Sequence, residues 1–91
     1  MAILKSTDIE TLFRMIPKWK RKGAAMTRTY VFKDFVAAVQ FVRKVAGLAE
    51  KAWHHPDIDI RWNKVTLTLT THDQGGLTEK DFNLAQKFDR L

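Results

Sequence analysis

Cysteine is absent from the 91 residues, which excludes a disulfide framework, thiol catalysis and any Cys-ligated zinc. Stability must then come from packing, helped by assembly, and histidine becomes the main side chain able to titrate near neutrality. No apolar run approaches the roughly 20 residues that span a bilayer, and the opening MAILKSTDIE lacks the charged-then-apolar pattern of a secretory signal. The expectation is a cytoplasmic protein with no membrane partner. Glycine and proline are scarce, at four and two, and no repeat, low-complexity tract or linker marks an internal boundary. Residues 1–91 are therefore read as one domain, too short to build two cores. A GxSxG nucleophile elbow and an HExxH helix are missing, and Gly75-Gly76 is one short turn rather than a phosphate-cradling loop.

The chain does carry an excess of positive charge, formally +6. Residues 1–28 hold seven Lys/Arg against two acids, and the rest holds nine against eight, so the basicity is local. Its focus is Lys18, Lys20, Arg21 and Lys22 around Trp19. Such a run reads first as a solvated loop or edge strand. A sharper reading makes it an anion-attracting rim, and a rival reading makes it a nucleic-acid site with Trp19 as a stacking platform.

Periodicity orders the elements. Thr7 with Glu10 fits a capping box, and Ile9, Leu12, Phe13 and Ile16 recur at helical spacing up to Pro17. Trp19–Arg21 and Met26–Phe32, flanking Gly23, predict a hairpin whose second arm is rich in β-branched and aromatic residues. Asp34 suits the start of a long helix running to about Trp53. That helix has two apolar stripes, Phe35, Val39, Val42, Ala46, Ala49 and Ala38, Phe41, Val45, Leu48, Ala52. So much apolar circumference suggests burial against a second chain as well as against its own sheet; the simpler alternative wedges the helix between that sheet and the first helix. His54, His55 and Pro56 then break the helix, because the residue before proline leaves the α region. Asp57–Trp62 predicts a strand, Asn63-Lys64 a tight turn, and Val65, Leu67, Leu69 alternating with Thr66, Thr68, Thr70 a half-buried strand with its threonines outward. Thr78 caps a final helix with Asp81 at the capping-box position. The order α-ββ-α-ββ-α implies an α+β two-layer domain, a four-stranded antiparallel sheet with helices on one face.

All three histidines fall within nineteen residues, at a helix exit and a strand exit. Imidazole titrates at about pH 6.5, so it can both give and take a proton at neutral pH. Without further information the His54-His55 pair serves equally as a cationic helix-end cap. A three-histidine zinc site is disfavoured, since adjacent histidines seldom aim at one ion and no dense acid cluster accompanies them.

One pattern is more specific. Glu50, then three residues to His54-His55-Pro56, an aromatic at Trp62, His72 ten further on and Asp81 nine beyond that resemble the signature of the pterin-4a-carbinolamine dehydratases. FKDF at Phe32–Phe35, NKV at Asn63–Val65, LTTHDQGGLT at Leu69–Thr78 and DFNLA at Asp81–Ala85 resemble the same family, over roughly residues 17–90. The resemblance implies the α+β fold, assembly as a homodimer or homotetramer through edge strands and the long helix, and a pterin substrate. The implied reaction is loss of water from a 4a-hydroxytetrahydropterin. It assigns His54 and His72 as the acid/base pair and His55 to orienting the pterin, with no metal and no tightly bound cofactor. Asp81 would set a histidine tautomer or meet the pterin edge, although capping alone explains it too. Pro56 shapes the turn, Trp19 would cover the flat ring unless it is simply core, and Trp62 is structural. Two departures stand out: Trp53 replaces a smaller polar residue, and the basic run Lys18–Lys22 lies outside the family pattern. Some relatives also act as dimerisation cofactors of a homeodomain transcription factor, a binding role kept as the alternative.

Overall fold

The computed structural model describes residues 3–91; residues 1 and 2 of the expected 1–91 unit lie outside the described residues. The chain runs α1 (Ser6–Met15), β1 (Lys20–Lys22), β2 (Ala25–Val31), α2 (Phe35–Ala52), β3 (Asp57–Arg61), β4 (Lys64–Leu69), a single 3-10 turn (His72–Gln74) and α3 (Glu79–Asp89). All strand pairs are antiparallel, in the order β1-β2-β4-β3. The expected α+β sheet-and-helix layering is what the chain adopts.

The register sorts the side chains. Met26 opposite Leu69, and Tyr30 opposite Val65, turn with Leu67 toward the helices and are buried. Thr27, Thr29, Thr66 and Thr68 alternate onto the open face, where Thr29 and Thr66 hydroxyls meet at 2.8 Å. Ile9 of α1, Ala38, Phe41 and Val45 of α2, and Phe82, Leu84, Ala85 and Phe88 of α3 complete one apolar cluster with those strand residues. Alternation with period 2 in the strands and 3.6 in the helices thus places three helices on one side of the sheet.

Several local expectations are corrected. The Thr7–Glu10 capping box does not form: α1 starts at Ser6 after an extended Lys5, with no side-chain cap, and the Thr11 hydroxyl bonds back to the Thr7 carbonyl. The tight turn falls on Trp62-Asn63, one residue earlier than expected, with Trp62 at φ 52. Trp62 is largely exposed there and packs into no core, so its expected structural role is not a packing one. On α2 Ala38, Phe41, Val45 and Ala49 are buried and Val42 and Leu48 pack against the core, whereas Phe35, Val36 and Val39 in the first turns stay exposed. Asp34 does cap α2, its Oδ1 accepting the Ala37 N–H at 2.8 Å, an interaction worth about 1 kcal/mol.

The last residue of α3 ties helix to sheet. Asp89 Oδ1 accepts from Trp19 Nε1 (3.0 Å), Arg28 Nη1 (2.7 Å) and the Tyr30 hydroxyl (2.5 Å). The Arg28 guanidinium also lies 4.1 Å from the Tyr30 ring centroid. Burial, reinforced by the bond to the Asp89 carboxylate, holds the Tyr30 phenol well above its usual range.

Candidate active site

The exit of α2 positions the first two histidines. The N–H groups of Trp53 and His54 reach back to the Glu50 and Ala49 carbonyls (3.2 and 3.1 Å), closing a Schellman motif in which Trp53 takes the left-handed position at φ 50, ψ 45. The helix therefore stops before the proline forces it to, and Pro56 only carries the chain on into β3. This reversal divides the adjacent imidazoles. His54 turns inward, its side chain 11% exposed, while His55 turns outward at 50%.

Inside, His54 Nε2 lies 2.6 Å from Asp81 Oδ1. Asp81 is fully buried at the start of α3, and its Oδ2 accepts both the Thr78 N–H and the Thr71 hydroxyl, each at 2.9 Å. Because the Thr71 proton is given to Asp81, the 2.8 Å contact between Thr71 and Thr78 hydroxyls must be donated by Thr78. A buried carboxylate holding three donors is an acceptor, so it draws the imidazole proton to Nε2 and leaves Nδ1 of neutral His54 as a lone-pair base. Asp81 fills the expected capping position, and the same side chain meets His54. Buried and engaged by these three donors, its carboxylate has no surface open to solvent.

Outside, His55 Nε2 meets Glu50 Oε2 at 2.5 Å, and the Trp53 indole stands edge-on to the His55 ring, centroids 5.3 Å apart at 80°. This partnership escaped the sequence reading, where Glu50 was one letter of a motif. Helical spacing pairs Glu50 with the residue four on, His54; the left-handed turn at Trp53 hands it to His55 instead. His72 is exposed on the 3-10 turn that follows β4, held by the Gly75 N–H on its carbonyl at 3.1 Å. It is joined to the inner network through the backbone of Thr71, whose hydroxyl binds Asp81. Thr71 is the second residue that the sequence did not single out, since it is one more threonine at the end of a Thr-rich run.

Trp19 is not brought to this cluster. It is 2% exposed, stands edge-on to Tyr30 and donates to Asp89. Asp89 lies eight residues along α3 from Asp81, about 12 Å at helical rise. Trp19 is a core residue, neither a lid over a ring nor a platform for bases, because no face of its indole reaches solvent. The basic residues beside it, Lys20–Lys22, form the exposed edge strand β1.

A family model described as pterin 4 alpha carbinolamine dehydratase matches residues 2–91. A protein of Thermomicrobium roseum bearing that family's name is 55% identical over 91 residues, covering 100% of this chain and 98% of its own. The crystal structure of a transcriptional coactivator/pterin dehydratase from Brucella melitensis superposes with a TM-score of 0.93 at 34% identity, over 97% of this chain and 96% of that one. A pterin dehydratase-like RuBisCO assembly factor of the alpha-carboxysome shares the fold, with a TM-score of 0.66 at 22% identity over 79% and 83% of the two chains.

Proposed function

Because the chain belongs to the pterin 4 alpha carbinolamine dehydratase family, we propose that it dehydrates a 4a-hydroxytetrahydropterin to the quinonoid dihydropterin and water, as one domain over residues 1–91 in the cytoplasm. The observation that carries the reading is the pair of histidines at one helix exit, each held by its own carboxylate, with a third at a neighbouring strand exit. Hydroxide is a poor leaving group, so an acid must protonate the departing 4a-oxygen while a base takes the N5 proton. His54 and His72 take the acid and base roles, and His55, anchored by Glu50, binds and orients the pterin from its outer position. Pro56 shapes the turn that carries the chain from His55 into β3. Asp81 and Thr71 are positioning residues that keep the His54 proton on Nε2. Each such proton transfer contributes about 10²–10⁴-fold.

The test is the rate of 4a-hydroxytetrahydropterin dehydration, followed by absorbance of the quinonoid product, for the wild type beside His54→Ala and His72→Ala. Acceleration by the wild type that falls at least a hundredfold in both variants is the expected result. A folded wild type without acceleration would refute the enzymatic reading and favour the protein-binding alternative, to which the coactivator named with the Brucella structure lends its only support here.

A further inference from the structure

We propose that Trp53 is a substrate-binding residue whose indole forms a wall against which the planar acylguanidine half of the substrate lies beside His55. The inference rests on the dehydratase reading and adds a residue that the reading does not require.

The backbone supplies the first argument. Trp53 occupies the left-handed position of a Schellman motif, at φ 50 and ψ 45, where glycine is the usual occupant because a Cβ crowds the neighbouring carbonyl. For a bulky residue this conformation is a genuine outlier. Ending the helix does not call for an indole, since the two closing hydrogen bonds are made by the backbone N–H groups of Trp53 and His54. Strain of this kind persists where the side chain has a use.

Exposure supplies the second. The indole is 75% exposed, so it contributes almost nothing to the core, yet it touches one member of the proposed site, the ring of His55. Trp62 is also exposed and also left-handed, but it sits at the far end of β3, six residues from Pro56 and about 20 Å away along the strand. Its positive φ is demanded by a two-residue hairpin turn; that of Trp53 is shared with the histidine loop.

Ring geometry supplies the third. The indole and the imidazole are nearly perpendicular, at 80°. A planar acylguanidine stacked parallel to the indole therefore presents its polar rim to His55, whose Nε2 is held by Glu50 and whose Nδ1 remains to meet it. The acylguanidine of a 4a-hydroxytetrahydropterin, planar and rimmed with nitrogen and oxygen, suits both surfaces, the indole face and the imidazole edge.

Kinetics, calorimetry and light scattering on wild type, Trp53→Gly, Trp53→Phe and Trp62→Phe test the assignment. Trp53→Gly is expected to raise the melting temperature by removing a left-handed Cβ, and at the same time to raise KM about tenfold, with kcat changed less than threefold. Trp53→Phe restores KM to within about threefold, and Trp62→Phe leaves it at the wild-type value. Isothermal titration with the non-reacting 7,8-dihydropterin should show the same tenfold weakening in Trp53→Gly. An unchanged KM and Kd in Trp53→Gly, in an active wild type, overturns the proposal while leaving the dehydratase reading intact. A weakening that appears only as the assembly mass falls also overturns it, because the indole then serves an interface between chains. If the wild type neither turns over nor binds the dihydropterin, both readings fall.

Discussion

Asp81→Asn is the most informative perturbation of the site, because it keeps the shape of a fully buried side chain and removes only its ability to accept from every direction. The carboxylate accepts hydrogen bonds from His54 Nε2 at 2.6 Å and from the Thr71 hydroxyl and Thr78 N–H at 2.9 Å. An amide has one oxygen. If it faces Thr71 and Thr78, where two donors and the helix cap are at stake, its NH2 faces His54 and the imidazole must turn Nε2 into an acceptor. The proton then moves to Nδ1, the atom that the carboxylate had left as a base. Three hydrogen bonds to a charge become neutral ones, at about 0.5–1.5 kcal/mol each, and relief from burying the charge offsets part of that. A net loss of about 2 kcal/mol lowers the melting temperature of a 91-residue domain by about 10 °C. The proposed dehydration should fall by about 10²–10⁴ in kcat, as expected when a wrong tautomer is imposed on an acid/base histidine. Circular-dichroism melts separate the two effects, with rates taken well below the melting point. A variant that melts lower yet keeps kcat within about threefold, while His54→Ala still abolishes turnover, would refute the claim that Asp81 works by fixing the His54 tautomer.

The Tyr30 hydroxyl donates to Asp89 in a buried setting, and its pKa is raised in the fold. Its folded pKa lies above the unfolded value of about 10, so its contribution to stability is intact below about pH 10 and declines above it, by up to about 1.4 kcal/mol per pH unit. Tyr30→Phe, the substitution of the only tyrosine, should lower stability by about 1–2 kcal/mol at pH 7 and flatten that alkaline decline, as urea titrations at pH 8 and pH 11 will show; identical slopes in both proteins would disprove the linkage. Phe35, Val36 and Val39 on α2 are exposed, as are Ile58 and Ile60 on the edge strand β3. We expect a homodimer or homotetramer in which a second copy covers them, so light scattering at micromolar concentration should give a multiple of 10.6 kDa and Val36→Glu should reduce it. A wild-type mass near 10.6 kDa would exclude the assembly.

What the sequence by itself determined is what its periodicities encode. Alternation at Val65–Thr70 and at Met26–Val31 marked the central strands and their buried faces, and helical spacing marked two apolar stripes on the long helix without saying which one meets them. Motif spacing likewise picked out His54, His55, His72 and Asp81, and the capping position of Asp81 was legible because a cap is a contact between near neighbours. Boundaries were less so: Lys5 rather than Thr7 precedes α1, and a glycine-like turn was taken by Trp62, because turn position follows the strand register. Only the tertiary structure decided which partner each side chain found. His54 meets Asp81 across 27 residues, and Trp19 meets Asp89 across 70. Neither distance leaves a trace in local pattern. The sharpest case is Glu50, which helical spacing pairs with His54 and the fold pairs with His55. One left-handed residue at Trp53 rotates the chain by enough to exchange them, and a backbone dihedral adopted by a tryptophan against its intrinsic preference is set by the surrounding packing, not by the residue itself.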